Sequence, residues 1–179
     1  MAMKYSRLVH FKKLRPDAIV PSKNHDAAGF DLHVVEVERM SCTSPGEVDA
    51  LMHPDSGGYI NIEPLKMYRG KTGIAFQPPK GYFGLVDARS GMASKYGLNN
   101  PCGTIDADYR GDIMVCFFTI YPLRLKMGDR IAHMMILPYE EKRVDPITGD
   151  TSYIDFVADE VEELDDTSRG DQGFGSSGR

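Results

Sequence analysis

Residues 103–112 read Gly-Thr-Ile-Asp-Ala-Asp-Tyr-Arg-Gly-Asp and run directly into the apolar stretch Ile-Met-Val-Cys-Phe-Phe-Thr-Ile at 113–120. The apolar stretch has the length of a strand rather than of a helix, so it predicts a buried strand. A polar turn fixed to a buried strand holds its side chains still, and glycine permits close approach of a ligand. Asp106 is therefore a candidate catalytic carboxylate. The alternative is a hairpin in which Asp and Gly serve only turn geometry.

The rest of the chain predicts an all-β domain. Short strands are expected where apolar or alternating residues lie between turn signals, and one short helix is expected after Arg89, ended by Gly97. Segments 41–58 and 139–152 are interpreted as surface insertions, and the acidic segment 158–166 as a solvated edge element. The predicted strands cover residues 5–11, 33–38, 59–65, 71–76, 81–87, 113–120 and 131–138.

Composition limits the functional classes. The chain has 179 residues, of which 41% are hydrophobic, and this is enough for one domain with a core. The net charge of −5 argues against binding to a nucleic-acid backbone, although local arginines could still bind a small anion. We also expect no metal held by cysteine or histidine, because the three cysteines and five histidines lack ligand spacing.

The N-terminus lacks the apolar core of a secretion signal, and no apolar run reaches the length needed to cross a membrane. These features predict a cytoplasmic protein without a membrane partner.

Several polar residues are candidates for a ligand site. Asp31 follows Ala-Ala-Gly-Phe at a strand entrance, where it could meet a ligand or serve only as a turn acid. Arg89, Ser90 and the amides at the helix start could bind an anion or form a capped surface turn. His133, in the strand 131–138, is interpreted as core filling rather than as a ligand.

The C-terminal residues 169–179, Arg-Gly-Asp-Gln-Gly-Phe-Gly-Ser-Ser-Gly-Arg, are rich in glycine and are expected to be flexible alone. They could order over a ligand, with Phe174 stacking on a ring while Arg169 and the serines meet phosphate. The alternative is a disordered tail. The match of residues 173–178 to the dinucleotide pattern G-x-G-x-x-G is rejected, since no strand and helix surround it.

Five of these segments occur in the order and approximate spacing of the five motifs of trimeric deoxyuridine triphosphate nucleotidohydrolases, the dUTPases. The chain resembles that family over nearly its whole length, apart from the two insertions. The matching segments are Ala28-Gly-Phe-Asp-Leu32, Ala88-Arg-Ser-Gly-Met-Ala93, Gly103 to Gly111, Gly128 to His133 and Arg169 to Gly178.

The resemblance implies a jelly-roll-like β-clip barrel over residues 1–168, a homotrimer with active sites shared between subunits, and an arm, residues 169–179, that closes over the nucleotide. The implied reaction converts dUTP and water to dUMP and pyrophosphate, with Mg²⁺ on the triphosphate.

By resemblance, Asp106 deprotonates the attacking water, and Tyr109 packs on the deoxyribose so that a 2′-hydroxyl is excluded. Asn100 and the backbone of Gly103, Thr104 and Ile105 surround uracil.

Further residues match the parts of the family site that bind the triphosphate. Asp31 meets Mg²⁺ through water. His133 stands where the fourth motif usually has glutamine, and Gln172 replaces a usual glycine of the arm. The phosphate-binding motif is matched by Arg89, Ser90 and Gly91, and the arm by Arg169, Phe174, Gly175, Ser176 and Ser177.

Two rival functions differ in chemistry. The related dCTP deaminases place a catalytic glutamate on the strand after the third motif, where this chain has no acid between Met114 and Ile120. A regulatory protein that senses a nucleotide in the same pocket, and binds a partner through the insertions, is the second alternative.

Overall fold

The computed structural model describes residues 5–24, 26–139, 154–168 and 170–171. In these ranges the chain forms fourteen strands and a single short helix. The elements are β1 Tyr5–Lys13, β2 Phe30–His33, β3 Glu36–Met40, β4 Val48–Leu51, β5 Tyr59–Ile62, β6 Tyr68–Lys71, β7 Ile74–Gln77, β8 Tyr82–Ala88, α1 Ser90–Tyr96, β9 Asn99–Cys102, β10 Thr104–Ile105, β11 Met114–Phe118, β12 Leu123–Lys126, β13 Arg130–Pro138 and β14 Ile154–Glu160.

The strands form four small sheets. Their orders are β14-β1-β7, β10-β8-β13-β2, β4-β3-β6-β11-β9 and β12-β5. Among the described strands, all pairings are antiparallel except that of β14 with β1, which is parallel. Most strands that are paired in a sheet are distant in sequence, so the fold depends on long-range strand pairing.

The core follows from the alternation of side chains along the strands. On β11, Val115 and Phe117 are fully buried while the residues between them are only partly covered. The Phe117 ring stacks on Tyr68 of β6 with 5.7 Å between centroids. The apolar run that suggested a buried strand therefore does form one.

The opposite face of the same sheet carries a partly buried ion-pair cluster. Lys71 lies 2.7 Å from Glu36 and 2.8 Å from Glu38, and Arg69 lies within 2.6 Å of Glu38. Burial would raise the pKa of Glu38, but the hydrogen bonds from Lys71 and Arg69 outweigh burial and leave that pKa below its ordinary value. The cluster stabilises the pairing of β3 with β6.

Four details differ from the sequence predictions. The predicted strand 33–38 is divided, because β2 ends at His33 and β3 begins at Glu36. The predicted strand 71–76 is two strands, because Gly73 adopts a positive φ of 67° between β6 and β7. Segment 41–58 is more than a loop, because β4 lies in it and pairs with β3. The strand β12, in which Leu123 and Leu125 are buried between exposed basic residues, was not predicted.

Other predictions agree with the structure. Helix α1 ends at Gly97, which has a φ of 60° and donates to the carbonyl of Ala93. β14 lies at the edge of its sheet, as expected for the acidic segment. The second predicted insertion lies outside the described residues except for Tyr139.

No helix within the described ranges is long and apolar enough to cross a membrane. The cytoplasmic location stays a prediction.

Candidate active site

A cleft of about 450 Å³ lies where β2, β13 and the start of α1 meet. It gathers five of the residues that the sequence singled out, together with two further cations, Lys23 and Arg130, that the sequence reasoning had not placed in the site. The lining residues are Lys23, Asn24, Ala27, Ala28, Gly29, Asp31, Arg89, Ser90, Gly91, Arg130 and His133.

Asp31 is the centre of this cleft. Its carboxylate forms an ion pair with Arg89, whose Nε lies 3.0 Å from one carboxylate oxygen, and accepts a hydrogen bond from Arg130 Nη1 at 2.9 Å. β2 and β13 pair so that His133 stands opposite Asp31. The two strands pack closely, since a Cβ on Gly29 would lie 2.9 Å from the carbonyl oxygen of Met134. The Asp31 carboxylate thus orients two guanidinium groups within the cleft.

The start of α1 forms one wall of the cleft. Arg89 precedes the helix with extended backbone, φ −66° and ψ 137°, and its carbonyl accepts from the amides of Met92 and Ala93. A Cβ added to Gly91 would meet no atom within 4 Å. The glycine therefore leaves open space beside Arg89 and Ser90, and a ligand can approach the backbone there.

A second group of predicted site residues lies around β9 and β10. Val86 N–H donates to the Gly103 carbonyl at 2.7 Å, and a Cβ on Gly103 would come within 2.1 Å of the Val86 carbonyl oxygen. Glycine is therefore required at position 103. The Asn100 amide nitrogen donates to the same Val86 oxygen at 3.0 Å.

The Asn100 amide oxygen is buried and has no hydrogen-bond partner among the described residues. Because the neighbouring Val86 group is a carbonyl, the amide must present its NH₂ to Val86, which fixes the orientation of the oxygen. A buried acceptor without a donor is uncommon in folded proteins.

The loop that carries Asp106 is built by local contacts. Tyr109 N–H donates to the Asp106 carbonyl at 3.1 Å, and the Tyr109 hydroxyl donates to the Asp112 carbonyl, also at 3.1 Å. The Tyr109 ring covers Gly111 and is only 7% exposed, whereas Asp106 is exposed. Tyr109 therefore shapes the loop, and its contact with deoxyribose stays a prediction.

Asp112 lies at the end of this loop, and its carboxylate stabilises the neighbouring turn. Its carboxylate accepts from the Thr72 hydroxyl at 3.1 Å and from the amides of Thr72 and Gly73 at 3.2 and 2.8 Å. Burial raises the pKa of Asp112 above its ordinary value in spite of these hydrogen bonds. The carboxylate closes the turn between β6 and β7.

The two groups of site residues lie at opposite edges of one sheet. The order β10-β8-β13-β2 places Thr104 and Ile105 on one edge strand and Asp31 on the other. Three strand spacings of roughly 4.8 Å separate these edges by about 14 Å. Asp106 does not line the cleft that holds Asp31 and Arg89.

Some predicted residues lie outside the part of the chain that the structure describes. They are Arg169, Phe174, Gly175, Ser176 and Ser177, together with Gln172. Of the missed residues, Arg130 belongs to the Gly128-Asp-Arg segment that the motif comparison quoted, so its signal was available. Lys23 carried no signal, because only the fold brings residues 23 and 24 to the cleft.

The family model described as dUTPase matches residues 55–178. The chain belongs to the dUTPase family. The family predicted from the five motifs is thereby confirmed, as is the predicted enzyme class, dUTP diphosphatase. Among curated dUTPases, the deoxyuridine 5′-triphosphate nucleotidohydrolase of Corynebacterium glutamicum is 48% identical over 173 residues, covering 93% of this chain and 92% of that protein.

Solved dUTPases share the fold. A mutant dUTPase of Staphylococcus bacteriophage 80alpha, solved with dUpNHpp, has a TM-score of 0.56 at 24% identity and covers 96% of this chain and 98% of its own. A mutant dUTPase from phage phi11 of S. aureus, described with a structural Mg(II) ion, has a TM-score of 0.56 at 23% identity over 76% of this chain and 96% of its own. The predicted all-β, jelly-roll-like dUTPase fold is confirmed.

Proposed function

We propose that this chain hydrolyses dUTP to dUMP and pyrophosphate as a homotrimer. The observation that carries the proposal is the cleft, in which Lys23, Arg89 and Arg130 surround a single carboxylate beside the open backbone at Gly91. These three cations, together with a hydroxyl and backbone amides, suit a triphosphate, whose charge is concentrated on its oxygens. Membership of the dUTPase family supports deoxyuridine as the nucleoside.

The residues of the cleft also fit Mg²⁺ bound together with the substrate. Mg²⁺ is commonly held by one or two carboxylates plus phosphate oxygens and retains several waters. Asp31 forms an ion pair with each of two arginines and still has lone pairs to face a metal-bound water. When bound, the ion would neutralise charge on the phosphate oxygens.

Asn100 supports the choice of base. Its NH₂ is committed to Val86 and lies beside Gly103, and its oxygen is a buried acceptor without a hydrogen-bond partner among the described residues. Uracil carries an N3–H donor, whereas the same ring position of cytosine is an acceptor. A uracil seated at this hairpin would supply the missing donor, and a cytosine would place two acceptors together, which disfavours it.

Asp106 is proposed to deprotonate the attacking water. It lies on a loop whose backbone is fixed by Tyr109 and Asp112, so the carboxylate can be held at a defined position. A positioned general base contributes about 10²- to 10⁴-fold. Arg89 and the other cations of the cleft would stabilise the negative charge that accumulates on the phosphate during displacement. They would also hold the triphosphate in line with the attacking water.

The separation of the two residue groups supports the trimer. Since Asp106 does not line the cleft of its own chain, a complete site needs the loop of another copy. We therefore propose that each site pairs the cleft of one subunit with the segment 100–112 of its neighbour, under an arm formed by residues 169–179.

Product analysis with purified protein and Mg²⁺, using dUTP, dCTP, dTTP and UTP separately, tests the proposal. We expect dUMP and pyrophosphate from dUTP alone. A folded trimer that releases no pyrophosphate from dUTP would refute the proposed activity, and equal hydrolysis of dCTP would refute the role given to Asn100.

A further inference from the structure

Two cysteines lie directly opposite each other on neighbouring strands. Cys116 of β11 is the register partner of Cys102 of β9, and the two strands are antiparallel. Both are free thiols in the structure, with Cys102 exposed and Cys116 half-buried. Residues that oppose each other in this way point their side chains to the same face of a sheet. The two thiols therefore share one face.

The spacing of this pair suits a disulfide. Opposite residues on antiparallel strands have Cα atoms about 4.5 or 5.5 Å apart, depending on whether the pair is hydrogen-bonded. A disulfide spans Cα separations of about 4.4–6.8 Å, so either kind of pair can be bridged. In addition, β9 is the edge strand of its sheet, so it can shift toward β11 without losing a pairing to another strand of that sheet.

The surroundings of the pair make the two thiols unequal. Alternation along β11 turns Val115 and Phe117 into the core and leaves Cys116 on the outer face, between Cys102 and Arg69 of β6. Burial raises the pKa of the Cys116 thiol and negative charge on Cys102 raises it further, while Arg69 opposes this shift without reversing it. The exposed Cys102 is therefore the thiol that a dissolved oxidant meets first.

We propose that Cys102 and Cys116 form a redox-active dithiol site, which a hydroperoxide converts to a disulfide between β9 and β11. The Cys102 thiolate attacks one peroxide oxygen, the O–O bond breaks, and hydroxide leaves a sulfenic acid on Cys102. The Cys116 sulfur then attacks the Cys102 sulfur, and the S–O bond breaks to release a second hydroxide. Each hydroxide takes up the proton of one thiol, so hydrogen peroxide yields two waters as two electrons pass to it. A thiol reductant reverses the change by exchange.

The disulfide acts on the hairpin proposed to bind the base. Opposite residues have Cβ atoms about 4.5–5.5 Å apart, whereas a disulfide needs about 3.8 Å, so oxidation draws β9 toward β11 by about 1 Å. Cys102 adjoins Gly103 and lies two residues after Asn100, and both of these residues are hydrogen-bonded to Val86 of β8. Oxidation thus shifts Asn100 and Gly103 relative to Val86. This consequence rests on the proposed dUTP hydrolysis, while the dithiol site itself does not.

Peptide mapping of the full-length protein tests the site. Cys42→Ser is the reference protein, because Cys42 lies between β3 and β4 and its removal leaves only the opposed pair. The protein is treated with stoichiometric hydrogen peroxide, quenched with N-ethylmaleimide in denaturant and digested with trypsin without reduction. Trypsin cuts after Arg110, between the two cysteines, so the mass of the linked peptides identifies the disulfide. Non-reducing electrophoresis distinguishes a link within one chain from a link between chains.

We expect most of the oxidised protein to yield the linked peptides and to migrate as a single chain. In the same background, Cys116→Ser should stop at the sulfenic acid, which dimedone traps on Cys102, while Cys102→Ser should give far less adduct on Cys116. Two maleimide-labelled cysteines after peroxide treatment, or a link between chains, would overturn the dithiol site. Equal dimedone labelling of Cys116 in Cys102→Ser would overturn the order of attack.

Kinetics test the consequence for the base. In oxidised Cys42→Ser, KM for dUTP should rise about tenfold, the effect of one lost hydrogen bond, and dithiothreitol should restore it. The kcat should change little, because Asn100 and Gly103 are proposed to contact the base rather than the reacting phosphate. Cys102→Ser controls for the oxidant itself, so its KM should be equal with and without peroxide.

An unchanged KM in fully oxidised protein, or a loss confined to kcat, would overturn the effect on the base site. If the reduced protein hydrolyses no dUTP, the proposed function fails. The peptide map needs no turnover, so it still decides whether the dithiol site exists.

Discussion

Two inactive variants of this chain should restore activity when they assemble together. Asp106→Asn removes the general base but leaves the cleft intact, and Arg89→Ala damages the cleft but leaves the loop intact. Alone, the first should lose about 10²- to 10⁴-fold in kcat, and the second about 10²- to 10³-fold. Because Asp106 lies outside the cleft of its own chain, a mixed trimer can pair an intact cleft with an intact loop.

The size of the recovery follows from counting. In trimers formed at random from equal amounts of the two variants, one in four pairings of a cleft with a neighbour's loop has both parts intact, so about a quarter of wild-type activity should return. That is well above either parent. The assay is pyrophosphate release from dUTP after co-expression, with trimer formation checked by size-exclusion chromatography.

A mixture of Arg89→Ala with Arg130→Ala is the matched control. Both changes damage the cleft, since both arginines line it and bind Asp31. Every site then contains a damaged cleft, and the activity should equal the average of the two parents. Mixed trimers of Arg89→Ala and Asp106→Asn that also show only the parental average would refute the shared site and place Asp106 with its own cleft.

Three further outcomes are expected. Gly103→Ala should lower the free energy of unfolding by about 1–3 kcal/mol in urea and abolish dUTP binding, because its Cβ would come within 2.1 Å of the Val86 oxygen; normal affinity would contradict this. Glu38 has a lowered pKa in the folded state, so its stabilisation is present above the unfolded pKa near 4.5 and is lost as pH falls through the folded pKa. The melting temperature of Glu38→Gln should therefore fall less steeply than that of wild type as the pH is lowered. An unchanged dependence of melting temperature on pH would contradict the stabilising role of Glu38. His133→Gln installs the residue usual in the family, so KM for dUTP should stay within about threefold of wild type; a rise beyond tenfold would show that the imidazole itself is used.

Local chemistry was sufficient to predict two of the three elements that build the cleft, α1 and β13. Arg89 to Gly97 contains both the start of the short helix and its glycine stop, and residues 131–138 are apolar at strand length, whereas the strand predicted over residues 33–38 overlaps β2 only at His33. Each of these signals lies within about ten residues. The motif resemblance then brought Asp31, Arg89 and His133 to one site, and the structure places all three in the same cleft.

The features that the sequence did not predict depend on contacts between residues distant in sequence or on the backbone angle of a single residue. Residues 71–76 look like one strand, and only the positive φ of Gly73 divides them. Lys23 reaches the cleft through the path of the chain before β2, which no local pattern records. The contact of Arg110 with Asp165 spans 55 residues, so sequence alone could not pair them.

The parallel pairing of β14 with β1 has a consequence for how the protein is made. The two strands are joined by contacts such as that of His10 with Asp159, which are 149 residues apart. During synthesis β1 leaves the ribosome well before β14, and the edge of β1 that pairs with β14 must wait for that strand. Until then an exposed strand edge is open to pairing with other chains. The yield of folded protein should therefore fall more with slow translation, and rise more with a bound chaperone, than for a protein whose first strand pairs locally.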